Sequence, residues 1–184
     1  MLSDRALSVL LSERGHAILP IAGQDASMTP HLSGGDLVAA APPPATPRPG
    51  DLIVFVQQDY LVVHRYLGAA RDRSGRPCLR TRGDGRNELD PALPPDAVRA
   101  RVVAIRRAGV WRSLEGMRAV AYARLVAWHD LFWASAGIAF RKVGLGSAAT
   151  HLDHALLRLT AALLFTPLHA RIEAPDGAVP ETPV

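Results

Sequence analysis

The sequence predicts an α+β protein, with a mostly antiparallel β core over residues 15–108 and an α-helical hairpin after it. Short apolar runs punctuated by Gly, Pro, Asn and Asp recur from His16 to Arg106, the pattern of antiparallel strands joined by turns. From Ser113 to Lys142 there is no proline, and alanine, leucine and arginine dominate, which changes the reading to helix. Hydrophobic residues make up 48% of the 184, ample for one packed core with an appendage.

Residues 1–14 read as a short amphipathic helix. Leu2, Leu7, Leu10 and Leu11 share a face, and Asp4, Arg5, Glu13 and Arg14 are polar. Its apolar stretch is short and flanked by charges on both sides, unlike a cleavable signal peptide or a membrane span. His16 to Ile21 is a strand, and Gly23 with the polar residues after it forms the turn that presents Ser27. Asp36 to Ala41 is a second strand after Gly34-Gly35. Pro42 to Pro49 is a proline-rich loop that cannot supply ladder donors. Leu52 to Val56 is a strand, Gln57-Gln58-Asp59 a hairpin tip, and Tyr60 to Leu67 the returning strand that carries His64. Arg71 to Pro77 is a polar turn. Cys78 to Arg82 is a strand ending at Gly83-Asp84, Asn87 to Pro95 a loop, and Val98 to Arg106 a half-buried closing strand.

The helical part covers residues 109–170. One helix runs from Ser113 to Lys142, with Gly137 a point of interruption. Gly144 and Gly146 break it, and Ala149 to Phe165 forms a second helix stopped by Pro167. Residues 171–184, rich in proline and acids, are expected to be a disordered tail. Val120 to Phe140 is long enough to span a bilayer but contains Arg124, His129 and Asp130, each costly at membrane depth. Ala155 to Leu168 contains Arg158 and covers about 21 Å as helix, against about 30 Å of hydrocarbon. The hairpin is therefore expected to pack on the β core or on a partner. Trp128, Phe132 and Trp133 offer a second expectation, peripheral contact with a membrane surface.

Charge and composition narrow the chemistry. The net charge is +4, and Lys142, a surface charge, is the only lysine among the basic side chains. The arginines are scattered without aromatic interleaving, so no nucleic-acid partner is expected. Cys78 is the only cysteine, which excludes an intrachain disulfide. His151 and His154 stand three apart on a helix with no further ligands near, so they read as a surface pair. Neither a metal nor a cofactor is expected.

What remains is a serine, a histidine and two acids, each beside a strand-like run. Ser27 lies in Ala26-Ser27-Met28-Thr29-Pro30, His64 in Val62-Val63-His64-Arg65, Asp84 in Arg82-Gly83-Asp84, and Asp90 follows. A serine hydroxyl needs a base within hydrogen-bond reach to become a nucleophile. An imidazole can take that proton, and a carboxylate can orient the ring. Asp84 and Asp90 both stand as orienters at this point, with a turn-capping carboxylate as the competing reading for Asp84. Asp36 and Asp51 each follow glycine at a strand start and read as turn carboxylates.

Read in order, Ser27-Met28-x-Pro30, Gly35-Asp36-Leu37-Val38, Pro49-Gly50-Asp51-Leu52-Ile53-Val54-Phe55, Val63-His64-Arg65 and Thr81-Arg82-Gly83-Asp84-x-x-Asn87-x-x-Asp90 resemble the signal peptidase I (S26) serine peptidases. That family shares a β fold with the self-cleaving LexA-type repressors of S24. The resemblance covers residues 15–107. It is nearest to the Ser/His branch of archaea, the endoplasmic reticulum and some spore formers (SipW-type), where other bacterial members use a lysine base. It implies a signal-peptidase/LexA-like core, Ser27 as nucleophile, His64 as base and Asp90 as the family's last acid, with Asp84 kept as the alternative. The implied activity is cleavage of a leader or signal peptide bound in extended form. Where signal peptidases commonly carry Ser-Gly before the nucleophile, this chain has Asp25-Ala26. An ionised Asp25 cannot donate to a developing oxyanion, which leaves the backbone N–H of Ser27 for that task. It also motivates a second expectation, a peptidase-fold binding or regulatory module. A LexA-type self-cleaving regulator ranks last, because no helix-turn-helix precedes the core.

Overall fold

The computed structural model describes residues 3–22, 26–86, 88–142, 159 and 171–172, with the side chains of 133–142 left aside. Helix α1 (Asp4–Arg14) begins at Ser3, whose side chain accepts the Ala6 N–H, and stops at Gly15, whose φ of 72° closes the last turn. Its Leu7 and Leu11 are buried and Leu10, partly buried, packs against the same cluster; Leu2, expected on that face, lies outside the described residues.

Seven strands follow along the chain: β1 (Ala17–Pro20), β2 (Leu37–Ala41), β3 (Leu52–Gln57), β4 (Tyr60–Arg71), β5 (Pro77–Arg82), β6 (Val98–Arg107) and β7 (Val110–Ser113). After β7 comes α2 (Met117–Lys142), and β8 (Arg171–Ile172) lies further on. All pairings are antiparallel, in the order β1-β2-β6-β3-β4-β5, with β7 on β6 and β8 on β7. Arg101 of β6 pairs with both Ala41 and Ile53, and Ala104 with both Ala39 and Ser113. Strands β3 and β7 therefore occupy successive halves of one side of β6, opposite β2.

The order corrects the sequence reading in three places. The Val98–Arg106 segment does not close the core; it is the central strand, flanked by β2, β3 and β7. The chain does not leave the sheet at Gly109 either. Ala108 and Gly109, with φ of 49° and 76°, turn it back as β7. Arg171 and Ile172, placed at the head of the tail by composition, pair with Arg112 and Trp111. Apart from Leu159, which is helical and exposed, the expected second helix at 149–165 lies outside the described residues, as do the His151/His154 pair, the tail from 173, Asp25 and Asn87.

Apolar residues gather on both faces of the sheet. The larger cluster joins Leu7 and Leu11 of α1 to Met28, Leu32, Val38, Val54, Val102, Tyr122 and Val126. A second gathers Ile53, Phe55, Tyr66, Leu79 and Leu93. Helix α2 runs through Gly137 without a break and packs on β4. Gly50 permits that approach: its φ is +101°, and a Cβ there would meet the Ala123 carbonyl carbon at 2.5 Å. A buried ion pair, Arg82 Nη2 to Asp130 Oδ1 at 2.8 Å, fastens α2 to β5. Among the described residues no helix is long and apolar enough to cross a membrane.

Candidate active site

Ser27 opens a turn that runs to His31, within a segment held from both ends. Met28 and Leu32 are buried in the larger cluster, and the Leu32 N–H donates to Met28 O at 2.9 Å. At the far end Arg107 donates to Pro30 O, His31 O and both oxygens of Asp36. Asp36 also accepts the Ser33 N–H at 2.8 Å. It thus anchors an arginine as well as capping the turn, while Asp51 caps one by accepting the Arg48 N–H.

The other side of Ser27 rests on the segment after β5. Gly85 N–H donates to Ser27 O at 2.8 Å. A Cβ on Gly83 would collide with that same carbonyl oxygen and stand 3.0 Å from His64 Nε2, and one on Gly85 would collide with Ala26 O. Both glycines are therefore demanded by close approach of two backbones.

His64 lies on β4 opposite Ile53 of β3. Its ring meets Phe55 edge-on, with centroids 5.9 Å apart. Asp90 reaches it because the loop folds back along β5. Asp90 N–H donates to Thr81 O at 2.9 Å, and Leu93 bridges Leu79. Asp90 Oδ2 then accepts from Thr81 Oγ1 and lies 2.7 Å from His64 Nδ1. On the opposite side of the ring, His64 Nε2 is 3.2 Å from Ser27 Oγ.

Burial alone would push the Asp90 carboxyl up. Hydrogen bonds from His64 and Thr81, with the nearby charges of His64 and Arg86, outweigh it, so the net shift is downward. An ionised carboxylate only accepts, which places a proton on His64 Nδ1. In the neutral ring Nε2 is then free to accept the Ser27 hydroxyl proton. Ser27, His64 and Asp90 thus stand in line, an arrangement in which an imidazole can activate a serine hydroxyl. Ser27 keeps 6% of its surface exposed and His64 2%.

Of the four sequence-derived residues, Ser27, His64 and Asp90 come together and Asp84 does not join them. Asp84 is neither orienter nor turn cap. It is fully buried and accepts from Arg65 Nε at 2.8 Å and Arg65 Nη2 at 2.6 Å, with His31 Nδ1 at 2.7 Å from Oδ2. Burial would raise its pKa, but the charges and hydrogen bonds of Arg65 and His31 hold it well below the usual carboxylate range. Adjacent strand residues face opposite sides of a sheet, so His64 and Arg65 carry their polar groups to different faces. Sequence reasoning passed over His31, Thr81 and Tyr122. His31 had a faint signal, four positions after Ser27; Tyr122, on a helix far along the chain, had none.

No protein-family model, curated protein or solved structure matches this chain.

Proposed function

We propose that this protein is a serine endopeptidase related to signal peptidase I that cleaves a leader or signal peptide. The observation that carries the reading is the line Asp90–His64–Ser27, 2.7 Å and then 3.2 Å. Ser27 Oγ attacks the scissile carbonyl while its proton passes to His64 Nε2. The imidazolium, steadied by Asp90, returns that proton to the leaving amine, and water then releases the acyl group from Ser27. The substrate is an extended peptide with small residues before the cut, added as a strand. The same reading includes peripheral membrane contact through the outer face of α2, where Met117, Leu125, Trp128 and Phe132 are exposed.

The test is cleavage of an Ala-x-Ala reporter peptide by the wild type, Ser27→Ala and His64→Ala. Turnover confined to the wild type is expected; equal turnover by all three contradicts the reading.

The burial of Ser27 and His64 favours one rival, a binding or regulatory module on the same scaffold. It requires peptide binding that survives Ser27→Ala and no turnover by the wild type. Self-cleavage of the LexA kind requires a nick in the chain itself, which intact mass after prolonged incubation would reveal.

A further inference from the structure

Beside the Ser27–His64–Asp90 line runs a second buried chain of polar groups. Arg65 grips Asp84 through two nitrogens, and Asp84 Oδ2 lies 2.7 Å from His31 Nδ1. His31 Nε2 lies 2.9 Å from Tyr122 Oη, with the two rings tilted 59° at 5.9 Å. His31 and Asp84 have no exposed surface. Paired with Arg65, Asp84 is an acceptor only and faces His31 Nδ1 at ion-pair distance, while His31 Nε2 and the Tyr122 hydroxyl are hydrogen-bond partners.

Three of its four members belong to the segments that carry or seat the Ser27–His64 pair. Arg65 follows His64, Asp84 follows Gly83 beneath the Ser27 carbonyl, and His31 ends the short turn begun by Ser27. Tyr122 is the exception: it comes from α2 and is buried in the larger cluster. Further ties on the turn come from Gly85, Arg107 and Asp36. Tyr122 is thus a hold on the serine turn from outside the region of family resemblance. The hydroxyl-to-imidazole separation of 3.2 Å leaves little slack, since a misplacement of about 1 Å can cost about 100-fold in rate.

We infer that Tyr122 and His31 are positioning residues for the Ser27–His64 pair, which makes α2 a working part of the peptidase centre. This rests on the peptidase reading above. The turn of Ser27 is set at one end by its glycine-lined seat and at the other by a helix, so displacing α2 detunes the serine.

The experiment is a double-mutant cycle on the full chain with the Ala-x-Ala reporter, reading kcat, KM and the melting temperature. Tyr122→Phe keeps the ring and removes the hydroxyl. His31→Asn keeps a donor where Nδ1 meets Asp84 and removes the atom that faces Tyr122. Each single variant is expected to lose about tenfold in kcat with KM within about twofold, and the double variant to lose no more than either. Wild-type kcat in both single variants, or losses that multiply in the double, overturns this inference and leaves the peptidase reading standing. A wild type no faster than Ser27→Ala overturns both. Should Tyr122→Phe fail to melt cooperatively, His31→Asn decides by the same kcat criterion.

Discussion

Asp84 and Asp90 are six residues apart, yet the structure gives them separate tasks, and this can be tested one carboxylate at a time. Asp90→Asn removes the acceptor that fixes the proton on His64 Nδ1. A loss of up to about 10⁴-fold in kcat is expected. Asp84→Asn leaves the buried Arg65 charge without its counter-ion. It is expected to cost about 3–5 kcal/mol of stability, read by denaturant unfolding. Acid adds a second check. Both carboxyls have folded pKa values below their unfolded ones. The stability they contribute is complete above about pH 4 and is lost as pH falls through the folded values. Melts taken downward from about pH 6 should fall most steeply below about pH 4 in the wild type, and less so in Asp84→Asn. The trio was legible in the sequence because each member lies in a short motif beside a strand. The family resemblance favoured Asp90 over Asp84; the residue types alone did not separate them, because both follow β5 and it is the fold-back onto Thr81 that brings Asp90 to His64.

At the scale of elements, turns and strand starts could be read from glycine, proline and alternation, and most strands fall within a few residues of where those signals put them. Strand order could not be read. Nothing in Val98–Arg107 announces that both its edges are covered, and β7 is only four residues long, lost between a turn and a helix. The seat of α2 was hidden for the same reason, since Gly50 and Ala123 are far apart in sequence and meet only in three dimensions. Gly50→Ala places a methyl against the Ala123 backbone and forces a non-glycine residue to φ +101°. It is expected to lower the melting temperature markedly, while Gly75→Ala, with φ +82° and open space around it, has the smaller effect. Equal shifts would mean that α2 does not rest on Gly50.

For the whole molecule, α2 has two unlike faces. The inner one carries Tyr122, Val126 and Asp130 onto the sheet, and the outer one exposes Trp128 at 78% and Phe132 at 61%. Leu125, Trp128 and Phe132 recur at helical spacing, and Arg124 stands beside them, a composition suited to an anionic lipid surface. Sedimentation with vesicles containing phosphatidylserine is the check. The wild type is expected to bind and Trp128→Ser/Phe132→Ser to stay in solution without loss of fold; equal recovery of both would remove the membrane from the account. The central claim, that a buried imidazole activates Ser27, has a more direct test. A peptide carrying an acylating warhead after Ala-x-Ala is incubated with the protein, and the adduct is mapped by mass spectrometry. The account predicts one covalent adduct, on Ser27, absent from Ser27→Ala and formed at least about 100-fold more slowly by His64→Ala. An unmodified Ser27 in the wild type, or labelling at the same rate without His64, would contradict it.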